Sequence, residues 1–134
     1  MAYSERLLDY FWRPKNHRVM RDADAVGVAG VPGRGPFMVV YLRLTGGVIE
    51  EAAYQTHGCP PSIAAGTLLA TVLPGTPALE APIRWTEAAI NEALGGLPDH
   101  KRHCSVLAAA ALERAVAAQD DGQKASSAPG RSPS

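Results

Sequence analysis

The sequence predicts an α+β fold, in which helices pack on one face of a small antiparallel β-sheet of about three strands. Strand-like runs lie together between residues 26 and 55, and helical apolar spacing dominates after residue 60. Strand patterns that come first and helical patterns that follow them are typical of this class. The 134 residues are enough for one domain with a substantial core.

The chain begins with a short predicted helix followed by a long loop. Ser4 can serve as the N-cap of the helix, and Pro14 ends it because proline has no N–H to donate. Residues 30–36 read Gly-Val-Pro-Gly-Arg-Gly-Pro, a composition that favours tight turns. We expect this segment to be a functional loop.

Three predicted strands form the sheet. Residues 37–44 are rich in β-branched and aromatic side chains, Gly46-Gly47 supplies a turn, and residues 48–55 form the antiparallel partner. A shorter strand at residues 26–29 adds a third member, since an isolated hairpin is only marginally stable in water.

The second half of the chain is predicted to be helical. Pro60-Pro61 opens a helix that stops at Pro74-Gly75, which places Cys59 near the N-cap. A proline-rich loop follows as far as Trp85. Thr86 caps the next helix, Gly95-Gly96 closes it, and a last helix opens near Cys104 and runs to about residue 118.

Composition limits the domain organisation and the partners. Residues 1–118 form the predicted domain, and residues 119–134, which lack large apolar side chains, form a predicted disordered polar tail. Thirteen basic and thirteen acidic residues balance without a basic run, so neither nucleic acid nor an anionic membrane is an expected partner. The chain shows no signal segment and no membrane-spanning apolar stretch, so we expect a cytoplasmic protein.

The two cysteines, Cys59 and Cys104, are the strongest indication of chemistry. Each is predicted at the start of a helix, and His103 immediately precedes Cys104. The free N–H groups and partial positive charge of a helix N-terminus lower the pKa of a thiol and favour the thiolate. In a reducing cytosol such residues are more naturally metal ligands or reactive thiols than a structural disulfide.

Several segments together resemble the NifU/IscU-type iron–sulfur cluster assembly scaffolds over roughly residues 3–118. They are YSERLLDY at 3–10, RPKN at 13–16, DADAVG at 22–27, Gly58-Cys59, EALGGLP at 92–98, Lys101, and HCSVLA at 103–108. The most specific segment is the run from EALGGLP through Lys101 to HCSVLA. The resemblance implies a SufE/NifU-like fold for the whole of this part of the chain.

The resemblance also implies a function. Members of this family are scaffolds rather than enzymes: a cysteine desulfurase deposits persulfide sulfur on them, iron joins it, and a [2Fe-2S] cluster forms before it passes to acceptor proteins. They use three cysteines, an aspartate and a histidine. Cys59, Cys104 and His103 match the second cysteine, the third cysteine and the histidine, while Lys101 matches a position near the site.

Two residues of the family's site are missing from this chain. Arg34 occupies the position of the first cysteine, and Pro36 occupies that of the aspartate. Arginine cannot ligate iron, but its guanidinium can stabilise a thiolate or a persulfide, and proline offers no side-chain ligand. We therefore expect iron or [2Fe-2S] binding to be weakened, with Arg34 and Lys101 modulating the site.

Three routes could restore metal binding. They are a water molecule as the fourth ligand, His57 or His100 as a substitute, or ligands shared across a homo-oligomer. Because zinc accepts a tetrahedral set of Cys and His donors, Cys59, His103 and Cys104 with one further ligand are also a credible zinc site.

Two functions from different classes remain open. The first is a variant scaffold, in which Cys104 or Cys59 accepts sulfur and a metal binds through Cys59, His103 and Cys104. The second is a non-catalytic homologue that keeps the scaffold's surface, binds a desulfurase or a complete scaffold, and regulates it without building a cluster.

Overall fold

A three-stranded antiparallel sheet is the centre of the structure, a computed structural model that describes residues 3–57 and 59–126, with side chains described up to residue 118. The strands are β1 (Ala25–Gly30), β2 (Phe37–Thr45) and β3 (Val48–Thr56), in the order β1-β2-β3. The β2–β3 turn contains Gly46 and Gly47, which both have positive φ (60° and 80°), as a tight hairpin turn requires. The α+β prediction and its three strands are confirmed.

Five helices accompany the sheet in the described part of the chain. They are α1 (Glu5–Trp12), α2 (Pro60–Val72), α3 (Ala81–Arg84), α4 (Glu87–Ala93) and α5 (His103–Ser126), with short 3₁₀ turns at Ala78–Glu80 and Asp99–Lys101. Both predicted N-caps form: Ser4 Oγ accepts from Leu7 N at 3.0 Å, and Thr86 Oγ1 accepts from Ala89 N at 3.2 Å. No helix among the described residues is long and apolar enough to cross a membrane.

Two elements differ from the sequence prediction. The segment expected to be a loop up to Trp85 contains the 3₁₀ turn and α3, because Pro82 lies in the first turn of α3, where a missing N–H costs nothing. Helix α5 continues past residue 118 to Ser126, since a helix that is already nucleated propagates at low cost. Residues 119–126 are therefore helical, and the rest of the predicted tail lies outside the described residues.

Helix α5 packs against β1 at backbone contact. A Cβ atom added to Gly27 would lie 2.1 Å from Ala111 O and 2.2 Å from Ala115 N. Only glycine fits this approach. The Arg114 guanidinium also donates to Val28 O at 2.8 Å, so α5 is held to the edge strand β1 by both packing and a hydrogen bond.

Helix α2 packs against the opposite edge strand, β3. The Tyr54 ring lies against Gly66, where an added Cβ would come within 2.2 Å of it. The buried Tyr54 hydroxyl lies 2.8 Å from Thr67 Oγ1 and 3.0 Å from Ile63 O. These contacts fix the first turns of α2, and therefore Cys59, relative to the sheet.

The helices cover one face of the sheet, as predicted, and the other face carries a small second core. Met20, Val39, Tyr41 and Ala53 form this second cluster. The segment that leads into β1, which contains Met20 and Ala23, covers this cluster, and no helix packs on it among the described residues. The sequence analysis did not anticipate it, because one methionine in a polar loop gives no periodic signal.

Candidate metal and sulfur site

The N-termini of α2 and α5 bring the two cysteines together. Cys59 is the N-cap of α2, and Cys104 is the second residue of α5. Their Sγ atoms lie 3.7 Å apart, and both are free thiols. Cys104 is fully buried, whereas Cys59 is partly exposed.

Ser62 is a third member of the site that the sequence analysis missed. Its buried hydroxyl donates to Cys104 Sγ at 3.3 Å, and its oxygen also lies 3.3 Å from Cys59 Sγ. Ser62 occupies the third helical position after the N-cap Cys59, from which a side chain reaches back toward the cap. The spacing of three residues between Cys59 and Ser62 could therefore have predicted this contact from the sequence.

The two thiols share one proton unequally. The hydrogen bond from Cys104 is the main cause that lowers the pKa of Cys59 to about 4, and Ser62 and the charge of Lys101 act in the same direction against the opposing effect of burial. The same hydrogen bond, together with burial, raises the pKa of Cys104. The partly exposed Cys59 is therefore favoured as the thiolate of the pair, and the buried Cys104 is favoured as the thiol.

His103 lies beside the pair but does not complete a metal cage. Its Nε2 is 3.6 Å from Cys104 Sγ, and its side chain is exposed. In the part of the chain that the structure describes, no three His, Cys, Asp or Glu side chains are grouped so as to hold an ion. The exposed imidazole would have to rotate to join both sulfurs around one metal.

The other predicted site residues make no hydrogen bond to the sulfurs, although the positive charge of Lys101 favours the thiolate form of both. Within the described residues, the hydrogen-bond partners of the two sulfurs are each other, Ser62 and His103. Arg34 and Pro36 are exposed in the turn between β1 and β2. His57 is exposed with its ring 6.5 Å from that of Phe37, and His100 is exposed in the last 3₁₀ turn.

The shared proton predicts an unusual pH profile for alkylation of Cys59. A group whose pKa is about 4 is fully ionised at pH 6, so the rate with iodoacetamide should change little between pH 6 and pH 8. Cys104→Ala removes the main cause of the lowered pKa, so the pKa of Cys59 should rise and the rate at pH 6 should fall about tenfold relative to pH 8.

The measurement is the rate of mass labelling of residue 59 across this pH range. Val106→Ala is the matched control, because Val106 is exposed near the start of α5 and should leave the profile flat. A Cys104→Ala profile as flat as that of the unaltered chain would contradict the hydrogen-bonded pair.

The sheet, the helices on one of its faces and the two thiols at helix N-termini define a small thiol-bearing α+β domain. The chain matches the NifU-like N terminal domain over residues 2–125. It belongs to that family. The expected resemblance is therefore confirmed.

Proteins of similar sequence include iron–sulfur cluster assembly scaffolds and a nitrogen fixation protein. The chain is 41% identical over 114 residues to the iron–sulfur cluster assembly scaffold protein IscU 1 of Archaeoglobus fulgidus, covering 85% of this chain and 74% of that protein. It is 35% identical over 122 residues to IscU of Escherichia coli, covering 87% and 93%. With the nitrogen fixation protein NifU of Azotobacter chroococcum it shares 33% identity over 117 residues, which is 38% of that longer protein.

Solved structures share the fold. A NifU-like protein (N-terminal) from Brucella abortus superposes with a TM-score of 0.69 at 19% identity, covering 88% of this chain and 94% of that one. A putative iron–sulfur cluster assembly scaffold protein for the SUF system from Fervidobacterium islandicum gives a TM-score of 0.66 at 23% identity, covering 85% and 96%. At these identities the likeness establishes the fold alone.

Proposed function

We propose that this chain is a variant iron–sulfur cluster scaffold, which accepts sulfur from a cysteine desulfurase and holds iron or zinc at the Cys59–Cys104 pair. The observation that carries the proposal is the 3.7 Å distance between the two sulfurs at the N-termini of α2 and α5 in a NifU-type fold. The protein would act as a carrier and not as an enzyme. Its cargo would pass to acceptor proteins.

The distances between donors fit a tetrahedral metal. Two thiolates bound at about 2.3 Å with tetrahedral angles are separated by about 3.8 Å, and a thiolate and an imidazole by about 3.6 Å. The corresponding distances are 3.7 Å for Cys59 Sγ to Cys104 Sγ and 3.6 Å for Cys104 Sγ to His103 Nε2. Two donor pairs are therefore already spaced for zinc or iron, and rotation of His103 would supply the third.

The altered loop should weaken cluster retention. With Arg34 and Pro36 at the family's cysteine and aspartate positions, three protein ligands remain, and the site needs one from water, His57, His100 or a second copy of the chain. A thiolate pair with only one imidazole favours a single ion over a fully ligated [2Fe-2S] cluster.

The second candidate is a regulatory homologue that binds a desulfurase or a complete scaffold and assembles nothing. The observation in its favour is that no group of three donors surrounds an ion position among residues 3–57 and 59–126. The two candidates differ in what the purified chain can bind.

Anaerobic reconstitution with ferrous iron, cysteine and a cysteine desulfurase separates these functions. The first predicts visible absorbance or protein-bound persulfide, together with about one metal ion per chain, and loss of metal in Cys59→Ala and Cys104→Ala. His103→Ala should weaken metal binding, while the matched control His17→Ala, whose ring stacks on Tyr54, should not. Absence of metal, cluster and persulfide would favour the regulatory homologue.

A further inference from the structure

The two sulfurs of the site differ sharply in how solvent reaches them. Cys104 has 0% exposure, while Cys59 is partly exposed at the start of α2. A sulfur donor outside the protein can therefore reach Cys59 directly, whereas Cys104 is closed to solvent. With Arg34 at the family's first cysteine position, these are also the only two thiols in the chain.

We propose that Cys59 receives the sulfur and that Cys104 resolves it, releasing sulfide and leaving a Cys59–Cys104 disulfide. This inference rests on the proposed role in accepting sulfur, and it specifies the order of the two cysteines and the product. The chain would then deliver sulfide rather than hold a persulfide.

The first step is transfer of sulfane sulfur to Cys59. The Cys59 thiolate attacks the terminal sulfur of a donor persulfide, a new sulfur–sulfur bond forms at Cys59, and the donor's own sulfur–sulfur bond breaks. The donor leaves as a thiolate. The proton of the terminal sulfur stays on the transferred atom, so both charge and atoms balance.

The second step uses Cys104. Its sulfur attacks the inner sulfur of the Cys59 persulfide, the bond to the terminal sulfur breaks, and the Cys104 proton goes to the departing hydrosulfide, which gives H₂S. The dithiol loses two electrons and becomes a disulfide, while the sulfane sulfur gains them and becomes sulfide. This step needs no external oxidant.

The geometry suits attack by Cys104. From 3.7 Å, the two Sγ atoms need to approach by about 1.7 Å to reach a disulfide bond length of about 2.05 Å. The Ser62 hydroxyl contacts both sulfurs at 3.3 Å and can hold the proton near the leaving group. Another turnover requires a dithiol reductant, which would reduce the disulfide by exchange.

The experiment treats the reduced, metal-free chain with cysteine persulfide and follows released sulfide and intact mass after an acid quench. The unaltered chain should release about one sulfide per chain and lose about 2 Da as a disulfide forms. Cys104→Ser should gain about 32 Da at residue 59 and release sulfide at least about tenfold more slowly. Cys59→Ser should neither gain about 32 Da nor release sulfide faster than a double variant in which both cysteines are replaced by serine. That double variant measures the background rate.

The outcomes distinguish this inference from the proposed function. A stable persulfide on the unaltered chain, with no disulfide, overturns the resolving role of Cys104 but leaves sulfur acceptance intact. A gain of about 32 Da at Cys104 in Cys59→Ser, formed as fast as the gain at residue 59 in Cys104→Ser, overturns the order of the cysteines. If neither persulfide, disulfide nor sulfide forms on any chain, both proposals fail. Should Cys104→Ser not fold, peptide mapping of the unaltered chain for the Cys59–Cys104 disulfide decides the question.

Discussion

Replacing Arg34 with cysteine and Pro36 with aspartate is expected to raise the amount of [2Fe-2S] cluster retained per chain about tenfold or more. The double change supplies a thiolate and a carboxylate at the two positions where we expect this chain to depart from its family. It also removes a permanent positive charge that opposes iron. Both positions lie in an exposed turn, so the substitutions should leave the core unaffected.

The measurement is visible absorbance and bound iron after anaerobic reconstitution and gel filtration. Val31→Cys is the matched control, because Val31 is exposed in the same loop but is not a ligand position. Arg34→Ala separates loss of the charge from gain of the ligand. If Val31→Cys retains as much cluster as the double variant, an added thiol alone explains the gain and the assigned ligand positions are wrong.

Gly27→Ala should destabilise the folded domain by about 3 kcal/mol or more. The new methyl group would lie within 2.2 Å of two backbone atoms of α5, which cannot rotate aside as a side chain could. The helix and strand must therefore separate, and that separation loosens the apolar packing of the Ala111 and Ala115 turns against the sheet.

Thermal and urea unfolding measure this effect, with a fall in melting temperature of roughly 10 °C expected for a domain of this size. Val26→Ala is the control on the same strand, since Val26 is 42% exposed and its truncation should cost little. Because α5 carries Cys104, Gly27→Ala should also make that thiol accessible to alkylation. A melting temperature unchanged by Gly27→Ala would contradict the close packing of α5 on β1.

Local signals predicted the elements that depend on local chemistry. Ser4 and Thr86 cap helices because their hydroxyls accept from backbone N–H groups nearby in sequence, and the Gly46-Gly47 turn depends on residues that tolerate positive φ. The cysteines were placed correctly at the helix starts because Pro60-Pro61 marks one start and the resemblance to family motifs marks the other.

Features that depend on contacts between distant segments were not readable. Helix α2 buries Ala64, Ala65 and Thr67 as well as its larger apolar residues, because small residues let neighbouring elements approach from several directions. The need for glycine at position 27 was likewise not predictable, because it arises from contact with a helix more than eighty residues away in the sequence. The sharing of a proton by two thiols also requires their distance, which sequence spacing does not contain.

The positions of the two sulfurs tie the chemistry of the site to the mechanics of the domain. Cys59 is carried by a helix seated on β3, and Cys104 by a helix seated on β1, the two outer strands of the sheet. Any bond or ion that joins the sulfurs therefore links α2 to α5, and through these helices it links the two outer strands of the sheet. A bound ligand would be linked to folding, contributing about 2.7 kcal/mol at a concentration one hundred times its Kd. Release of the bound ligand would thus lower the free energy of unfolding of the domain.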